Sequence, residues 1–171
     1  MRVAEASAAG RADLVIGVGN PLRGDDGVGW WLARRAERAG SLVRLVPQLT
    51  PELALEVAAA RRVLVVDAWC DARCEAGCAA GAEARGEAVP TLRSLQPGGA
   101  EVGVGGGHGL DPGGVLALAA LFGGDPPPAW LLLVPAFAFP HGTKFSEAVR
   151  RQLPVAQALL CQWLEAESPH A

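Results

Sequence analysis

Two rhythms of apolar positions alternate along this chain: short continuous apolar runs, and stretches in which apolar residues return every three or four positions. The first pattern predicts buried strands, the second amphipathic helices. Residues 13–19 carry Leu14, Val15, Ile16 and Val18 and close on Gly19, which predicts a central strand buried on both faces. Residues 26–39 then place Val28, Leu32, Ala36 and Ala39 on one helical face and Arg34, Arg35 and Arg38 on the other, with Gly40 as the stop. A second strand is expected at 42–46. Thr50 and Pro51 read as N-cap and first helical position of a helix through Ala60. The β-branched run Val63-Leu64-Val65-Val66, ending on Asp67, is the strongest strand signal in the sequence.

Farther along the chain, residues 70–86 are a small-residue insertion and 87–92 suggest another strand. Residues 98–109 form a glycine-dense loop that delivers His108. Asp111 and Pro112 repeat the N-cap and first-position pairing for a helix through Phe122, a turn covers 123–128, and 130–139 predict a strand. Residues 146–165 predict a helix interrupted at Pro154 by a kink or a restart. Strands alternating with helices imply an α/β fold: three α/β/α layers around a twisted, mostly parallel sheet of about five strands. Residues 1–11 read as a flexible leader and 12–171 as one domain, without internal repeat or boundary.

Composition narrows the function classes. Half of the 171 residues are hydrophobic and 19% are charged, which suits a globule rather than a disordered chain. The net charge of −3 leaves no basic footprint for nucleic acid. No apolar stretch approaches the roughly 18 residues of a membrane span. The first six residues lack the apolar core of an export signal, so a cytoplasmic protein is expected, with its four cysteines as reduced thiols. Cys70, Cys74 and Cys78, four apart, fit neither zinc pairs nor a Cys-x-x-Cys and read as small packed thiols. Cys161, among Leu159, Leu160 and Leu164, reads as core; His141 and His170 read as loop and tail residues.

The chemistry concentrates at three predicted strand exits. Asp26, Asp67 and His108 are distant in sequence, but parallel strands end on one edge, where ligands of open α/β sheets bind. Two carboxylates and an imidazole suit a divalent ion such as Zn²⁺ or Ni²⁺, with positions left for water or substrate. Each has a plainer alternative: Asp26 as a helix cap, Asp67 as a paired buried acid, His108 as a solvated loop residue. Asp25 either orients a water or shapes the turn, and the turn role is favoured. Trp69, two residues beyond Asp67, is expected near the site. Gly17-Val18-Gly19 opens like a dinucleotide fingerprint, but the third glycine should fall at Leu22, and adjacent acids repel phosphate. No Gly-x-Ser-x-Gly elbow is present.

These residues resemble the hydrogenase maturation endopeptidases. GVGNPLRGDDGVG at 17–29, QLTPELA at 48–54, VLVVDA at 63–68 and HGLDP at 108–112 match in order, with a weaker FPHGTKFSEAV at 139–149. The second of these points to the branch serving soluble bidirectional enzymes. The resemblance implies a peptidase, aspartic-type or metal-dependent, that trims the C-terminal tail of an immature nickel-iron hydrogenase large subunit after nickel insertion. It assigns Asp26, Asp67 and His108 as metal-binding and catalytic residues, with nickel of the precursor as recognition element and no organic cofactor. A nickel-binding maturation chaperone or docking module that cuts nothing is the alternative. Two departures stand out: many relatives carry Glu at the position of Asp26, and 142–146 read Gly-Thr-Lys-Phe-Ser where Gly-x-x-Leu-Ser is usual.

Overall fold

The computed structural model describes residues 11–69, 88–98 and 110–166. Strands β1 (Leu14–Val18), β2 (Leu42–Val46), β3 (Val63–Trp69), β4 (Thr91–Leu95) and β5 (Ala129–Pro135) form one sheet in the order β2-β1-β3-β5-β4. All pairings are parallel except β4 with β5. Helices α1 (Val28–Ala36), α2 (Leu53–Ala59), α3 (Pro112–Gly123) and α4 (Glu147–Glu165) cover both faces. The expected three-layer, mostly parallel architecture is therefore present.

Successive strand residues point to opposite faces, and β3 shows the consequence. Val63 and Val65 join Leu14, Ile16 and Leu131 in a core closed by Leu53, Val57, Val115 and Leu116 of α2 and α3. Leu64 and Val66 join Val15, Leu132 and Val134 beneath Leu32, Ala33, Val149 and Leu160 of α1 and α4. Gly29 lets α1 lie close to the sheet, since a methyl there would run into the carbonyl oxygens of Val18 and Val66.

Several expectations shift. The Thr50 side chain does not cap α2; a turn at 51–52 precedes the helix, with the Leu53 amide donating to the Thr50 carbonyl at 3.2 Å. Asp111 does cap α3, accepting from the Gly114 amide at 2.6 Å. The strand expected at 87–92 is β4, displaced to Thr91–Leu95, and β5 stops at Pro135 rather than running to 139. Pro154 lies within a single helix α4. Val149 on one side of it and Ala156, Leu160 and Trp163 on the other are all buried, so tertiary packing sustains the helix across the lost hydrogen bond. Cys161 is exposed, not core: Leu160 and Trp163 take the buried face, and one residue of helical rotation turns the thiol outward. The leader and the Cys70, Cys74 and Cys78 series lie outside the described residues, apart from Arg11 of the former. Among the described residues no helix is long and apolar enough to cross a membrane.

At the opposite edge from the strand exits, Arg62 is only 2% exposed. Its guanidinium donates to Asp13 Oδ2 at 3.0 Å and to the carbonyls of Ala166 and Leu164, and stacks 4.1 Å from the Trp163 ring centre. Burial pushes the Asp13 carboxyl up, but hydrogen bonds and charge from Arg62 and Arg61 outweigh it and hold the group below its ordinary value. Arg62 thus ties the end of α4 to the starts of β1 and β3. Arg62→Leu strips the Leu164 and Ala166 carbonyls of this donor and leaves Asp13 with Arg61 alone, and is expected to destabilise the fold by about 3 kcal/mol. Urea denaturation of Arg62→Leu, Asp13→Asn and the double variant measures this, and the double variant should fall short of the sum of the singles.

Candidate active site at the strand exits

Between β1 and β3 the chain order reverses, since β1 lies between β2 and β3. Such a switch point opens a crevice at the carboxyl ends of its two strands. The residue pair found there is Asp26, on the turn after β1, and Asp67, near the end of β3.

Asp26 reaches this place through a tightly folded turn. Gly19, at φ +121°, takes a backbone conformation that L side chains rarely adopt, and a Cβ there would overlap the Asp26 carbonyl oxygen. Asn20 folds an Asx-type turn, its side chain accepting from the Leu22 amide at 2.9 Å. A short 3-10 turn, Gly24–Gly27, then leads into α1. The Asp26 carboxylate accepts the Asn20 amide on Oδ2 at 3.0 Å, with Arg23 Nη1 at 3.9 Å from the same oxygen. It caps no helix: neither the 3-10 turn nor α1 has a side-chain cap. The plainer reading of Asp26 is therefore replaced by a carboxylate held across the turn. Gly19→Ala forces strain at both the backbone and this contact, and an expected loss of about 2 kcal/mol is measurable by thermal denaturation.

Asp67 sits deeper: it is buried, whereas Asp26 is half-buried. Burial is the main cause that pushes its carboxyl up from 3.8 to about 7; the charge of Asp26 adds to the rise, and the Ala68 amide partly opposes it. The charge of Asp26 thus acts on Asp67 across the switch point. His108 lies outside the described residues. Among the described residues no group of three His, Cys, Asp or Glu forms a metal cluster. Asp26 and Asp67 supply oxygen donors from the two sides of the switch point, and a third ligand would have to come from elsewhere. Hard carboxylate oxygens suit a divalent ion.

Asp25, next to Asp26, faces the other way. It is fully buried and accepts four hydrogen bonds: from the amides of Phe137 at 3.0 Å, Ala138 at 2.9 Å and Ser146 at 2.7 Å, and from the Ser146 hydroxyl at 2.8 Å. The expected turn role is correct in kind, although its reach extends to a distant loop. Ser146 also caps α4 by accepting from Val149. Trp69 is half-buried against the α2–α3 core, and its carbonyl accepts the Ala136 amide at 2.7 Å. Two rim residues drew no attention in the sequence. Trp30 donates its indole N–H to the Val46 carbonyl at 3.0 Å, and Arg23 lies 5.7 Å from the Phe139 ring centre. The spacing of Arg23 three residues before Asp26 was the available signal for the second.

No family model and no curated protein matches the chain. Solved structures do. The hydrogenase maturating endopeptidase HybD of E. coli has a TM-score of 0.60 at 16% identity, over 90% of this chain and 91% of that one. The nickel-iron hydrogenase maturation protease HycI of Thermococcus kodakarensis has a TM-score of 0.59 at 21% identity, over 92% and 93%. The chain has the hydrogenase maturation protease fold. A third neighbour, the endopeptidase HycI of E. coli, has a TM-score of 0.60 at 17% identity over 94% and 95%. The likeness in fold thus extends over nearly the whole of each chain.

Proposed function

We propose that this protein is an endopeptidase that removes the C-terminal tail of a nickel-iron hydrogenase large-subunit precursor once nickel is in place. Asp26, Asp67 and His108 would recognise that nickel, which belongs to the substrate. What supports the reading is the placement of Asp26 and Asp67 after β1 and near the end of β3, on either side of the switch point, in a chain with the maturation protease fold; the charge of Asp26 acting on Asp67 agrees with it. The sequence resemblance supplies His108 as the third group.

Within this reading Asp26 is the outer ligand. Its Oδ2 is already oriented by the Asn20 amide, so its geometry is set before substrate arrives. Asp67 is the inner ligand, and binding to a cation would stabilise its charged form against the burial that opposes it. Nickel in the precursor would act as Lewis acid toward the nearby peptide.

A second reading of the chemistry has one observation in its favour. A carboxyl raised to about 7 beside another acid is the pattern of a carboxylate pair that divides acid and base roles. Asp67 would then hold a proton for the leaving amine while Asp26 orients water. Both readings assign the same two residues.

Precursor incubated with the protein, with and without inserted nickel, decides the main reading by intact mass. Loss of the tail only from nickel-loaded precursor is expected. Cleavage of both forms favours the carboxylate-pair chemistry without nickel recognition, whereas unchanged mass in both overturns the peptidase and leaves the nickel-binding chaperone.

A further inference from the structure

Arg23 sets a positive charge beside the outer carboxylate of the site, Asp26. Its backbone is fixed from three sides. The amide donates to the Asn20 carbonyl at 3.0 Å, and the carbonyl accepts the Asp26 amide at 3.2 Å. Arg23 also bridges to Gly142, flanked by hydrogen bonds from Gly24 to the Gly142 carbonyl at 2.9 Å and from Gly142 to the Leu22 carbonyl at 2.8 Å. The side chain is 55% exposed and leans between two supports, the Phe139 ring at 5.7 Å and Asp26 Oδ2 at 3.9 Å. The anchor is rigid, and the guanidinium at its tip is held only weakly.

We propose, resting on the function above, that Arg23 determines specificity by acting as the counter-cation of Asp26, the outer carboxylate of the site, so that free divalent ions bind there poorly and a metal embedded in a polypeptide displaces it.

Two carboxylates at one rim would otherwise attract any divalent ion in solution. A unit positive charge beside the outer carboxylate repels such an ion and must be displaced for Asp26 to ligate it. A dissolved ion has only its own ligand bonds to set against that displacement. An ion inside a protein substrate brings surrounding surface that contacts the rim as well, and the exposed Arg23–Asp26 pair is weak enough to yield. The side chain can then turn out to solvent, because over half of it is already exposed.

The test is titration of NiCl₂ into the purified protein by calorimetry, without any precursor. Arg23→Gln is expected to bind Ni²⁺ about five- to tenfold more tightly than wild type, and Arg23→Lys, which keeps the charge, within about twofold of it. The Gln advantage should shrink between about 0.1 M and 1 M salt, as screening removes the charge effect. In an Asp26→Asn background the same Arg23→Gln change should yield no gain, because the carboxylate it guards is gone. Equal Ni²⁺ affinity of wild type and Arg23→Gln overturns the proposal. So does a gain that persists in the Asp26→Asn background, or no measurable Ni²⁺ uptake by Arg23→Gln at millimolar concentration. Nickel-dependent cleavage of precursor alongside any of these results would leave the peptidase reading standing; failure of that cleavage would sink the peptidase reading while the titration still judges Arg23.

Discussion

Asp67→Asn is expected to lower tail removal from nickel-loaded precursor by about a thousandfold or more and, at the same time, to make the protein without precursor more stable above neutral pH. The first effect follows because the amide is a poor metal ligand and neither a base nor an acid, whichever chemistry operates. The second follows from burial. The folded protein raises Asp67 from 3.8 to about 7, so it binds this proton more tightly than the unfolded chain does. Stability from the protonated acid is complete below the ordinary carboxylate range and is lost as pH rises through about 7. At pH 8 the wild-type protein therefore carries a buried charge that Asp67→Asn does not, and a gain on the order of 2 kcal/mol is expected. Near pH 4 the two proteins should differ little on this account. Urea denaturation at both pH values, on protein freed of divalent ions by chelation, reads the difference. An Asp67→Asn protein that cleaves normally removes Asp67 from the site. One that is destabilised at pH 8 shows that the native carboxylate has a partner outweighing its desolvation.

The opposed effects explain why Asp67 was legible in the sequence. An acid at the end of Val63-Leu64-Val65-Val66 contradicts the local pattern, and such contradictions concentrate where function holds a residue against stability. The same logic made β1, β3 and the N-cap of α3 readable, because their signals are local: continuous apolar runs, and Asp111 directly before Pro112. Where pairing is non-local the sequence misled. β4 lies at the sheet edge with Thr91, Arg93 and Ser94 turned to the outside, so it lacks the apolar run that marks a buried strand. Nothing local marked Arg62, because its partners, Asp13, Leu164 and Ala166, are 49 to 104 positions away. The apolar residues 136–139 looked like more of β5, yet the amides of Phe137 and Ala138 leave the sheet to meet Asp25. His108, the third expected ligand, lies outside the described residues.

Asp25→Ala is the substitution expected to harm the fold most, by about 4 kcal/mol, which is enough to leave many domains largely unfolded at 37 °C. Its fully buried carboxylate is the common acceptor for three backbone amides and one hydroxyl of partly buried residues. Alanine removes the acceptor without removing the donors, so three amides are stranded at once; only the Ser146 hydroxyl can turn to another partner. Asp25→Asn separates charge from shape. One amide oxygen can still accept, but the NH₂ group faces amide donors that need an acceptor, so a loss of about 2–3 kcal/mol is expected. Ser146→Ala deletes one donor and the α4 cap and should cost about 1 kcal/mol. This graded order, Ala worse than Asn at Asp25 and both worse than Ala at Ser146, is what distinguishes a four-donor carboxylate from a merely buried acid. Asp25 joins the Gly24–Gly27 turn to the chain between β5 and α4, so the damage should also reach its neighbour: Ni²⁺-loaded precursor should bind more weakly to Asp25→Asn even where that variant is still folded. Equal stability of wild type and Asp25→Asn would show that the charge contributes nothing to holding this loop in place, and that Asp26 owes its position to the Gly19–Asn20 turn alone.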